Sequence, residues 1–163
     1  MWRHPRSLVL VPAFAVMYVT VVMGQVTDPR VTQETIHSTI CTYGWTEIVR
    51  PPYSVISTIK RQLMRQDRAA GRVWEYDLDH IVPLDLGGSP DDPRNLRLQP
   101  RWGACNTDDK DRLETELGRR VCAGDVTLLE ARTQIVGDWI AAYRKYVDPR
   151  GCATTGEIEL PKL

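Results

Sequence analysis

The sequence predicts an α+β single domain stabilised by disulfides. Three observations carry that expectation: a strand–loop–strand–helix stretch between Tyr76 and Glu114, helical periods on either side of it, and four cysteines behind an export-type leader. A chain of 163 residues has room for one core with a short appendage. Hydrophobic residues at 42% and charged residues at 26% exclude a disordered or low-complexity chain. Lys+Arg and Asp+Glu are equal at 21 each, so no overall polycation argument exists and charge placement must stand in for it. Only three histidines occur (His4, His37, His80), which excludes a His-rich metal cage.

Met1–Ser7 carries Arg3, His4 and Arg6 with no acid, and Leu8–Met23 is an apolar run broken only by Pro12 and Thr20. That is the pattern of a signal peptide over 1–24, with Gln25 as the mature N-terminus and 25–163 as the domain. A retained membrane anchor is the competing reading, since a span wants about 20 apolar residues. Loss of Arg3 and Arg6 leaves 19 basic against 21 acidic groups. In an exported chain, Cys41, Cys105, Cys122 and Cys152 read as two disulfides with three possible pairings. No close Cys pair supports zinc.

Gln25–Thr39 is polar and turn-rich, an arm tied down at Cys41. Thr46–Val49 alternates weakly and stops at Pro51-Pro52, which predicts a short strand. Tyr53–Gln66 reads as a helix, with Val55/Ile56, Ile59 and Leu63 on one face and Lys60, Arg61 and Arg65 on the other; Arg68 and Arg72 follow. Trp74–Pro83 reads as a strand, Leu84–Arg94 as a loop around Gly87-Gly88, and Leu96–Leu98 as a second strand. From Thr107 a helix carries Leu113, Leu117 and Val121 at intervals of four, broken by Gly124. Thr127 opens the last helix with Glu130 three residues on, a capping-box pattern, and the apolar face runs to Tyr146. Trp45, Trp74 and Trp139 are expected in the core, and His37 on the surface.

The polar residues fall at the junctions of this central stretch. Asp79 and His80 end the first strand, Asn95 precedes the second, and Asn106 begins the helix. A closed hairpin with the helix across it would gather all four. Asp79 and Asn106 then offer hard oxygen ligands to one divalent cation, Mg²⁺ or Mn²⁺ in preference to a softer metal. His80, with an ordinary pKa near 6.5, suits a general base, and Asn95 suits an orienting role in the loop. Taken singly, each has a plainer role: a structural Asp–His pair, a turn Asn, a helix N-cap. Asp108, Asp109 and Asp111 read as first-turn acids favoured by the helix dipole, with Asp109 an alternative ligand. Asp85 has no assigned role.

This ordered set resembles the HNH endonuclease family, the ββα-metal nucleases, and within it a group of small exported bacterial proteins. The carrying residues are Asp79-His80-Ile81-Val82-Pro83-Leu84, Gly87-Gly88, Asp92–Leu96, and Asn106 followed by Lys110–Glu114, with a motif core over 76–122. Thr39–Pro52 and Val121-Cys122 extend the likeness to about Val31–Tyr146. The resemblance implies a ββα-metal motif flanked by helices, His80 as base, Asp79 and Asn106 on the metal, Asn95 at the middle position, and Lys110 near phosphate. It also implies Cys41 paired with Cys122, leaving Cys105 with Cys152. The last motif position is Asn106 where a histidine is common, and zinc-ribbon cysteines are lacking.

The function these residues imply is metal-dependent phosphodiester hydrolysis of nucleic acid, DNA more than RNA, by a secreted or periplasmic enzyme. Lys60, Arg61, Arg65 and Arg68 would form a sequence-neutral phosphate track. Two other readings are an exported non-enzymatic binding protein on the same scaffold and a membrane-anchored nuclease toxin. An antibacterial role would add an immunity protein as partner, on which these residues are silent.

Overall fold

Two antiparallel strands, β1 (Tyr76–His80) and β2 (Leu96–Pro100), stand at the centre, with helices before and after them. The computed structural model describes residues 26–152; the leader expected over 1–24 lies outside them. Before the hairpin come α1 (Trp45–Val49) and α2 (Tyr53–Gln66), and after it α3 (Thr107–Ala123) and α4 (Leu128–Tyr146). The register pairs Tyr76 with Pro100, Asp79 with Arg97 and His80 with Leu96. Helix α2 packs on both strands, whereas α3 packs on α4 and on the Leu84–Leu86 turn. Among the described residues no helix is long and apolar enough to cross a membrane.

The core lies between α3, α4, the connecting loop and the N-terminal arm. Leu113, Leu117 and Val121 of α3 meet Leu128, Ala131 and Ile135 of α4, with Val82 and Leu86 from the loop. Val26, Val31 and Ile36 of the arm complete the same cluster, so the turn-rich arm is part of the core. Disulfides Cys41–Cys122 and Cys105–Cys152 close it, the pairing the resemblance implied. They suit an oxidising, extracytoplasmic compartment.

Helix ends follow the side-chain signals. Asn106 Oδ1 accepts the Asp108 and Asp109 amides to cap α3, and Gly124 ends it in the left-handed region at φ 81°. At α4, Thr127 Oγ1 accepts the Glu130 amide. Only that half of the expected capping box forms, because the Glu130 carboxylate faces Lys145 and Tyr146. A kink at Asp138, which follows Gly137, divides α4; its carboxylate accepts the Ala141 amide and caps the second half.

Thr46–Val49 is a helix and not the expected strand. Gly44 at φ 78° starts it, Ile48 N–H donates to Gly44 O, and Trp45 packs against the core. Four weakly alternating residues carry too little period to decide, and β1 and β2 satisfy each other and offer this segment no ladder. Trp74 is the second correction. It is 65% exposed, while Trp45 and Trp139 pack against the core as expected.

The loop between the strands is folded tightly by two glycines. Gly87 takes φ 70° against Val31, and a Cβ on Gly88 would stand 1.7 Å from the Val82 carbonyl oxygen. Thr27 bridges to Gly88, and Ser89 N–H donates to Val26 O, so the arm straps the loop from outside.

Candidate active site

His80 closes β1 and is almost fully buried. Its Nε2 lies 3.0 Å from Pro90 O. A carbonyl only accepts, so Nε2 carries the proton and the neutral ring keeps its lone pair on Nδ1. Burial pushes the His80 pKa below its usual 6.5, and the charges of Arg50 and Lys110 push the same way; the Pro90 hydrogen bond and Asp79 oppose them. A neutral imidazole at pH 7 is the result.

The Pro90 carbonyl is held in place by Asn95. Fully buried, Asn95 accepts Val82 N–H at 2.8 Å and donates to Val82 O at 3.0 Å and Ser89 O at 2.8 Å. One amide thus ties both limbs of the loop together beside His80, the orienting role expected for it. Asn95→Ala is expected to cost about 3 kcal/mol, because three buried backbone groups lose their partner. Urea denaturation measures this, and a loss below about 1 kcal/mol would remove the argument.

Asp79 faces the other way along the strand alternation, toward α3. Its Oδ1 accepts Lys110 Nζ at 2.8 Å and its Oδ2 accepts Arg97 Nε at 2.9 Å. Lys110 is 1% exposed and donates also to His80 O at 2.9 Å and to Glu114 Oε1. Three donors meet three acceptors, so Lys110 is an internal clamp, and the expectation that it lies near phosphate does not hold in this arrangement. Burial pushes the Glu114 carboxyl up to about 7 against the pull of Lys110.

Asp79 and His80 open onto a polar cleft of about 400 Å³ with Asp77, Thr107, Asp108, Asp111 and Arg101 among its walls. Asn106 is not in that wall; its oxygen is turned to the α3 amides. Burial and the charges of Asp79, Asp77 and Asp108 raise the Asp111 pKa. Among the described residues no group of three or more His, Cys, Asp and Glu is arranged to hold a metal ion. Asp79 and Asn106 fit a hard cation in donor type. An ion of the Mg²⁺ kind held by one carboxylate takes its remaining oxygens from water and phosphate, and here Lys110 and Arg97 compete with it for Asp79.

The chain matches no protein-family model, and no curated protein or solved structure is significantly similar to it. The site is therefore read from its own geometry.

On the α2 side of His80 lies a second cleft, about 510 Å³, walled by Tyr53, Ile56, Lys60, Arg61, Trp74 and Arg101, with Arg50 at the junction of the two clefts. Lys60 and Arg61 of the expected basic track are here together with His80. Arg65 and Arg68 are exposed but not part of the cleft. Arg50 and Arg101, which line both clefts, were not singled out from the sequence. Arg50 sits in the Arg-Pro-Pro stretch, where the prolines aim the chain, but only the hairpin's position tells that it reaches His80. Arg101 is ion-paired to Asp77 across the hairpin.

Proposed function

We propose that the protein is an exported, metal-dependent endonuclease with a ββα-metal site, cutting phosphodiester bonds of nucleic acid, DNA in preference to RNA, with low sequence specificity. The observation that carries this reading is His80: a neutral, buried imidazole with one nitrogen fixed on Pro90 O, set where an acidic cleft meets a basic one. Its second nitrogen is the group that takes a proton from the attacking water. Pro90 and Asn95 hold the ring in that tautomer. Arg50 near the ring and Arg101, paired to Asp77 in the same cleft, would neutralise phosphate charge, and Lys60 and Arg61 would extend that contact along the nucleic acid. Asp79 would hold the Mg²⁺ or Mn²⁺ ion, and Asn106 would join it only by turning its oxygen from the α3 amides into the cleft; when bound, the ion would stabilise charge on phosphate and leaving oxygen. The chemistry needed from the chain is thus a base, its anchor and a set of phosphate contacts.

A second reading, a non-catalytic binding protein, draws on Asp79, whose charge is already met by Lys110 and Arg97. Incubation of supercoiled plasmid with the disulfide-intact protein in Mg²⁺, Mn²⁺, Zn²⁺ or chelator separates the two. Nicking with Mg²⁺ or Mn²⁺, abolished by chelator, is the expected result; no nicking by folded protein in any metal leaves the binding reading.

The pH profile of nicking gives a further check. A histidine whose folded pKa lies below 6.5 stays neutral, and so competent as a base, down to that depressed value. The acid limb of the rate is therefore expected below pH 6.5, and a limb centred above 6.5 would assign the base to another group.

A further inference from the structure

The cleft on the α2 side of His80 contains more than phosphate contacts. Trp74 is 65% exposed at its rim, Tyr53 at its other rim is 83% exposed, and Ile56, Ile59, Leu78 and Leu96 form an apolar floor between them. Arg50, Lys60, Arg61 and Arg101 share the same walls. Arg72 lies over the Trp74 ring, 5.1 Å from its centroid, a cation–π contact that orients the indole at the rim.

A double-stranded backbone track needs cations alone, since paired bases are stacked on one another and out of reach of side-chain rings. Large exposed aromatics beside an apolar floor and a ring of cations suit bases that are already unstacked. A cleft of about 510 Å³ is of small-ligand size, room for an unstacked nucleotide.

We infer that this cleft is a single-strand subsite, in which an unpaired base stacks on Trp74 while the adjoining phosphate is held by Arg50, Lys60, Arg61 and Arg101 in the cleft that His80 lines. The inference rests on the nuclease reading for its phosphate position and deepens it, making single-stranded nucleic acid the preferred substrate.

The test uses the secreted chain with both disulfides formed and His80→Ala in place, in chelator, so that nothing is cut during the measurement. Fluorescence anisotropy follows binding of a labelled short oligothymidylate, the matching oligouridylate and a duplex of equal length at one fixed salt concentration. The single strands are expected to bind at least tenfold more tightly than the duplex. Trp74→Ala is expected to weaken single-strand binding about tenfold with little effect on the duplex, and Trp74→Phe to restore most of it. The exposed position of Trp74 keeps the variant folded. Equal affinity for single strand and duplex, or a Trp74→Ala protein that binds like its parent, overturns the inference even if the active enzyme nicks plasmid. Trp74-dependent single-strand binding by a protein that cuts nothing leaves the subsite standing and overturns the nuclease reading instead. Thymidylate and uridylate share the stacking chemistry, and the difference between those two arms reads the choice of DNA over RNA.

Discussion

His80→Ala is expected to reduce metal-dependent nicking by about 10²- to 10⁴-fold, the range that loss of a positioned general base produces. The protein should remain folded. The one hydrogen bond lost is that to Pro90 O, worth about 1 kcal/mol, and the loop that carries Pro90 is held independently by Asn95. His80→Gln separates positioning from proton transfer: a glutamine amide can donate to Pro90 O but cannot act as base, so it should be as inactive as alanine while more stable. Nicking by either variant at the parent rate would dismiss His80 as the base.

Breaking Cys41–Cys122 is expected to have the largest effect on stability. The bond closes a separation of 81 residues, for which the chain-entropy argument gives about 4.5 kcal/mol. The double variant Cys41→Ser/Cys122→Ser, followed by urea denaturation, measures it. The consequence should also reach the site. With Cys41 released from α3, the arm that seats Val26, Val31 and Ile36 in the core is less well held, and that arm bonds to Gly88 and Ser89 next to Pro90. Nicking is therefore expected to fall together with stability, whereas loss of stability with full activity would separate the arm from the site.

Long elements were legible because their period repeats. Tyr53–Gln66, Thr107–Ala123 and Leu128–Tyr146 each show several turns of apolar spacing, and Leu113, Leu117 and Val121 are fully buried as that spacing demands. The hairpin was legible from two short alternating runs flanking Gly87-Gly88, though β1 begins at Tyr76 and leaves Trp74 outside it. Thr46–Val49 was not legible, because Gly44's left-handed backbone and the packing of Trp45 decide it, and neither is written in four residues of alternation.

The order of the elements, the junction positions of Asp79, His80, Asn95 and Asn106, and four cysteines to be joined were all readable along the chain. These depend on local backbone preferences and on periods that neighbouring residues define. Packing alone buries Lys110 against Asp79, 31 residues away, brings Arg50 and Arg101 into the clefts that His80 lines, and turns Trp74 outward at a rim. Those facts depend on how elements far apart in the chain pack. A lysine one turn into a helix has the same local propensity whether its ammonium meets solvent or a buried carboxylate, and only the approach of β1 to α3 distinguishes them.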